Sequence, residues 1–103
     1  MEDFMKDEFS EEFVKLMKAR VEQSYHKYGP ARKNFGEGRV DPIATAMLCI
    51  DAFQKDGNTE HLVDAANYFM FAYKFRDAIG YTFRSTGSSE SVGTIGTPIN
   101  LER

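Results

Sequence analysis

Within the largely apolar segment 59–71, three polar side chains have the types and spacing of a cation site. Glu60, Asp64 and Asn67 are four and three residues apart, so a helix would place them along one side. Carboxylate and amide oxygens are ligands of Mg²⁺, which predicts a magnesium site held by Asp64 and Glu60, with Asn67 orienting a ligand. The alternative is an ordinary solvated helix face, in which the acids stabilise the first turns through the helix dipole.

The loop over residues 29–40 carries three glycines and three basic residues, a composition that phosphate-binding loops often have. The candidate phosphate ligands are Arg32, Lys33 and Arg39, and Asn34 is a further candidate for ligand contact. Their spacing matches neither a P-loop nor a dinucleotide-binding fingerprint. A solvated connector between two helices is the alternative.

Two smaller features also carry potential chemistry. Glu22 and His26 are four residues apart, so they are candidates for metal ligands, for an acid/base pair, or for a plain hydrogen bond on a helix surface. Cys49 is the only cysteine, which excludes an intramolecular disulfide and fits a reducing compartment. Its apolar neighbours predict a small buried side chain and not a reactive thiolate.

A longer pattern consists of Tyr-His-Lys-Tyr-Gly at 25–29, Asn34, and Glu-His-Leu-Val-Asp-Ala-Ala-Asn-Tyr at 60–68. It resembles small phage-type proteins related to the MazG-like, all-α nucleoside triphosphate pyrophosphohydrolases. The resemblance implies a helical bundle completed by self-association, magnesium bound by carboxylates, and attack of water on the α–β phosphate link of a nucleotide. Asp64 would match the metal-binding aspartate of the family's Glu-x-x-Asp pair.

Two departures from the family pattern bear on catalysis. His61 stands where that pair has its glutamate, with Glu60 one residue away, and the family's Glu-x-x-Glu pair has no clear counterpart. The resemblance therefore predicts nucleotide binding and leaves magnesium-dependent hydrolysis open. The alternative function is a non-enzymatic, phage-type interaction protein that inhibits a host factor or sequesters a nucleotide signal. The acidic N-terminus would suit a basic partner surface.

These residues need helices to position them, and the sequence predicts an all-α fold. Helices are expected over 11–28, 42–55 and 60–76, beginning at caps supplied by Ser10, by Asp41 before Pro42, and by Thr59. The short connection around Gly57 makes the second and third helices an antiparallel hairpin. The apolar periodicity predicts this buried set: Phe13, Met17, Val21, Ile43, Met47, Ile50, Leu62, Ala66 and Phe69.

Length and composition predict one helical domain over 1–80, followed by a Ser/Thr/Gly-rich segment over 81–103 that packs on its own body or on a neighbouring subunit. Three helices in 103 residues make a thin core, which predicts a homo-oligomer with the third helix and residues 81–101 in the interface. A net charge of −3 gives no strong signal for nucleic acid. Membrane spans and a signal peptide are not expected, and the predicted location is the cytoplasm.

Overall fold

The computed structural model describes residues 3–87 and residue 92, and all regular secondary structure in that part is helical. The all-α prediction is therefore confirmed. Expectations about residues 88–91 and 93–103, which include most of the C-terminal segment, lie outside the described residues. The helices are α1 Asp3–Glu8, α2 Glu11–Tyr28, α3 Ala31–Asn34, α4 Pro42–Asp56, α5 Glu60–Lys74 and α6 Arg76–Ile79.

Local capping explains where α2 and α4 begin. The Ser10 hydroxyl accepts the backbone N–H of Phe13 at 3.0 Å. Asp41 Oδ1 accepts the N–H groups of Ile43 and Ala44, both at 3.1 Å, and Pro42 takes the first helical position, where a missing N–H costs nothing. Both predicted caps are confirmed, because each satisfies backbone donors that the helix leaves without partners.

The predicted cap of α5 is wrong. Thr59 has helical backbone angles and its side chain makes no capping hydrogen bond. Instead Asn58 Oδ1 accepts the N–H of Glu60 at 3.0 Å, and Asp56 Oδ1 accepts the N–H of Asn58 at 2.8 Å. Two consecutive side-chain turns therefore connect α4 to α5, with Gly57 in the left-handed region at φ 70°.

The end of the third predicted helix also differs from expectation. α5 ends at Lys74, Phe75 leaves helical geometry, and the chain resumes as the short α6, which ends at Gly80 with φ 101°. Residues 81–87 carry no helix. Within them, the Phe83 ring meets Tyr73 of α5 edge-on, with ring centroids 6.3 Å apart.

Helix α5 is the central element, because it packs along α4 on one side and against α2 on another. Small side chains bring α4 and α5 close together: Ala46, Ala65 and Ala72 are all buried. The other apolar side chains of the core are Phe35, Val63 and Phe71.

This arrangement corrects the predicted core. Ile43, Met47 and Phe69 are exposed, with 49% of Met47 and 43% of Phe69 accessible. The other six predicted positions, Phe13, Met17, Val21, Ile50, Leu62 and Ala66, are half-buried. The reason is that α5 contacts two helices and a loop, so its buried arc turns away from the stripe that contains Phe69.

The loop between α2 and α4 supplies the missing core residue. Phe35 stacks on Phe71 with centroids 4.6 Å apart and meets Tyr68 at 6.0 Å. The next residue must be small, because a Cβ at Gly36 would collide with the carbonyl oxygen of Arg32. The loop is thus more than a solvated connector: it packs against α5 and closes one end of a cleft.

No helix in the described part of the chain is long and apolar enough to cross a membrane.

Candidate functional site

Arg20 of α2 lies against the polar row of α5, which consists of Glu60, Asp64 and Asn67. Arg20 donates from Nε to Asp64 Oδ1 at 3.0 Å and from Nη2 to Asp64 Oδ2 at 3.1 Å, a two-point fork. Its Nη1 lies 2.9 Å from Glu60 Oε2 and also donates to Gln23 at 3.1 Å. The hydrogen bond with Asp64 raises the pKa of Arg20, so the guanidinium stays charged.

Asn67, the third member of the row, is buried and joins α5 to α2. Its Nδ2 donates to the carbonyl oxygen of Met17 at 3.0 Å. Its buried Oδ1 has no hydrogen-bond partner among the described residues, and a buried acceptor left unpaired costs about 1–3 kcal/mol. Asn67 therefore has a structural role in holding the two helices together, and it also borders the cleft described next.

A cleft of about 250 Å³ opens where α2, α5 and the 29–40 loop meet. Four aromatic rings form much of its lining: Tyr28, Phe35, Tyr68 and Phe71. Polar groups of Arg20, Ser24, Asn34, Asp64 and Asn67 are interspersed with them, and Val21 and Val40 complete it. Binding sites for small molecules combine these features: a largely apolar concave surface with a few converging polar groups.

Burial sets the protonation of two groups on this side of α5. It raises the pKa of the Tyr68 phenol, with smaller contributions from Cys49 and Asp64, so the phenol remains a hydrogen-bond donor. Burial also raises the pKa of the half-buried Cys49 thiol, and the charge of Asp64 adds to the effect. Cys49 accordingly lacks the lowered pKa that a nucleophilic cysteine needs.

The predicted phosphate ligands lie outside the cleft lining. Arg32 and Lys33 are exposed on α3, and Arg39 is exposed with its Nη2 3.7 Å from Glu37 Oε1. Asn34 is the one loop candidate that lines the cleft, and its Nδ2 donates weakly to the carbonyl oxygen of Tyr28 at 3.4 Å. The structure thus brings Asn34, Asp64 and Asn67 together and leaves the three cations around the outside.

Glu22 and His26 make no hydrogen bond with each other in residues 3–87. Both are exposed on α2, and the His26 ring instead meets Tyr25 edge-on at 5.7 Å. Glu22 borders a separate apolar groove between α2 and α5.

Arg20 lies against the two carboxylates that the sequence predicts as magnesium ligands. Among the described residues there is no group of three or more His, Cys, Asp or Glu side chains that could hold a metal ion. Glu60 and Asp64 are both engaged by Arg20, so a divalent cation would have to displace a guanidinium or lie beside it. The two carboxylates do not fit Mg²⁺ in this arrangement.

Sequence reasoning missed Arg20 and Phe35. Arg20 lies 44 residues from Asp64, so no local spacing connects them. The available signal was charge: a carboxylate row on a helix needs a cation from the helix that packs on it. Phe35 was the one large apolar residue in a loop of glycines and charges, which marks a loop that packs on the core.

No family model, curated protein or solved structure compared with this chain matches it. The resemblance to MazG-like proteins stays a prediction from the residues quoted above, and function has to be argued from the cleft.

Proposed function

We propose that this protein binds a nucleotide and that the cleft takes its base. One observation carries the proposal: four aromatic residues line a cleft that Ser24 and Asn34 also line. A planar base offers π-faces to such rings and N–H and carbonyl groups to such polar atoms. The cleft is slightly smaller than the roughly 300–1,000 Å³ of sites that enclose whole ligands. It therefore suits a base with the sugar and phosphates outside.

Local charge supports that orientation. Asp64, which lines the cleft, and the nearby Glu60 carry two negative charges against the one positive charge of Arg20, so this side of the cleft does not attract a phosphate. The nearest cations along the loop are Arg32 and Lys33, in the same short helix as Asn34. They are the proposed phosphate contacts, with Arg39 as a third.

Binding without hydrolysis is the activity that this arrangement supports. Pyrophosphohydrolysis of the kind implied by the resemblance needs carboxylates free to hold magnesium. Here Arg20 engages both of them. We propose that magnesium at Asp64 and Glu60, if it binds, requires Arg20 to leave.

A thermal-shift series tests the proposal. ATP, GTP, CTP and UTP are each added to the full chain with and without MgCl₂, because a ligand that binds only the native state raises the apparent melting temperature. We expect at least one nucleotide to raise it in the absence of magnesium, and Tyr68→Phe to reduce the shift. Tyr81→Phe, which changes an exposed tyrosine away from this cleft, is the matched control.

Two outcomes would contradict the proposal. One is the absence of any shift with all four nucleotides under both conditions. The other is magnesium-dependent release of pyrophosphate that Asp64→Asn abolishes while Asp51→Asn, on the exposed side of α4, does not. The second result would make the protein an enzyme and would mean that Arg20 yields its place to the metal.

A second candidate, a non-enzymatic protein that inhibits a host factor, is favoured by a different region. Helix α1 is acidic and displays Phe4 at 65% exposure, and the following Phe9 is 55% exposed. Exposed aromatics flanked by acids suit a partner with a basic, partly apolar surface. Phe4→Ala and Phe9→Ala together would abolish such an interaction and leave nucleotide shifts unchanged.

A further inference from the structure

The described part of the chain leaves much of its apolar surface exposed to solvent. No bulky side chain in it is fully buried, and many large apolar side chains are at least a third exposed. Single exposed apolar residues are normal on a protein surface, but contiguous ones mark an interaction site.

One continuous apolar groove runs between α2 and α5. Its α2 wall consists of Val14, Met17, Val21 and Tyr25, which follow the three-and-four spacing of a single helix face. Asn67 and Met70 of α5 line the opposite wall. Val14 is 44% exposed and Tyr25 is 56% exposed.

Two opposite charges border this groove on α2. Lys18 and Glu22 line it one helical turn apart, and neither takes part in an ion pair within the described residues. On their own helix they follow the less favourable order, with the lysine N-terminal to the glutamate. A helix laid antiparallel along α2 with the same sequence would put its Glu22 near this Lys18 and its Lys18 near this Glu22.

We propose that the groove binds α2 of a second copy of this chain, as an antiparallel, two-fold symmetric dimer. In a two-fold interface each contact occurs twice, so a surface must be complementary to itself. The groove meets that condition: a two-fold axis near the level of residue 20 pairs Lys18 with Glu22 of the second copy. The same axis brings Val14 close to Tyr25 of the second copy. A parallel arrangement would place Lys18 opposite Lys18, which like-charge repulsion disfavours.

The dimer is independent of the cleft that serves the proposed function. The groove and the cleft lie on different sides of the contact between α2 and α5, and Val21 and Asn67 are the residues that border both. Changes at Lys18 and Glu22 therefore alter the groove without altering the aromatic rings of the cleft.

Sedimentation velocity of the full chain over a micromolar concentration series tests the proposal. The intact protein is expected to sediment as a dimer of the 11.7 kDa chain. Lys18→Glu or Glu22→Lys alone puts like charges opposite each other twice, so each should raise the dissociation constant about tenfold or more. The double variant K18E/E22K restores opposite charges and should return the constant to within about threefold of the original.

Controls separate a lost interface from a lost fold. Glu12→Lys makes the same charge change on the other side of α2 and should leave the dissociation constant unchanged. All variants should keep their far-ultraviolet helical signal, because Lys18 and Glu22 are exposed. A monomer at every concentration would overturn the proposal. So would a dimer indifferent to the single changes, or single changes that the double variant fails to rescue.

Discussion

Arg20 links the two helices that carry the candidate site. It gives Asp64 two hydrogen bonds and Glu60 an ion pair, so the row that the sequence offers to a metal already has a cation. Residue types and helical spacing were enough to find the row. They could not find its partner, because Arg20 and Asp64 meet only through the packing of α2 on α5.

Replacing Arg20 should destabilise the fold. Arg20→Met keeps the aliphatic stem but leaves the partly buried Asp64 without its partner, which predicts a loss of about 1–2 kcal/mol after allowance for solvent screening. Urea unfolding measures it, with Lys15→Met, exposed on the other side of α2, as the control. A loss no larger than that of the control would mean that the pair contributes nothing to stability.

At the scale of elements, local capping rules predict the starts of α2 and α4 but name the wrong cap for α5, and the buried faces depend on long-range packing. Ser10 and Asp41 start their helices with hydrogen bonds to residues at most three positions away, so sequence alone predicts those boundaries. The buried face of α5 depends on where α2, α4 and the loop pack. Sequence periodicity predicts that Phe69 is buried, whereas the structure exposes it. Phe35, in the loop between α2 and α4, is buried against α5.

Two phenylalanine truncations compare these positions. Phe35→Ala removes a buried ring stacked on Phe71 and should cost about 3–5 kcal/mol. Phe69→Ala removes a ring that is nearly half exposed and should cost about 1–2 kcal/mol. Chemical denaturation of both variants measures the difference, and a larger loss at Phe69 would contradict the packing described here.

The turn between α4 and α5 should respond to acid. The Asn58 N–H and the His61 ring, whose Nε2 lies 3.0 Å from Asp56 Oδ2, lower the pKa of Asp56 below its usual 3.8. A lowered folded-state pKa means that the stabilisation is complete above the unfolded value and disappears as pH falls through the folded one.

Thermal melts between neutral pH and about pH 2 measure this loss. The wild-type melting temperature should exceed that of Asp56→Asn at neutral pH, and the gap should close as pH falls below 3.8. Asp51→Asn, in the same helix and exposed, should show no such closing gap. A gap that is constant with pH would mean that the Asp56 charge is not what stabilises the turn.

At the scale of the whole molecule, the three longer helices pack thinly, and the cleft between α2, α5 and the 29–40 loop is the surface that the proposed function uses. The groove proposed for the second copy would cover part of the apolar surface that α2 leaves exposed. The cleft on the other side of the same helix contact remains open in that arrangement, so self-association and nucleotide binding are compatible.

Chemical-shift mapping locates the bound base on the protein. Amide signals of the ¹⁵N-labelled full chain are recorded while the nucleotide with the largest thermal shift is added. We expect the largest changes at the cleft residues Ser24, Tyr28, Asn34, Phe35 and Tyr68, with smaller ones at Arg32 and Lys33. Changes confined to the outer basic residues, or to the groove along Val14 and Tyr25, would contradict it.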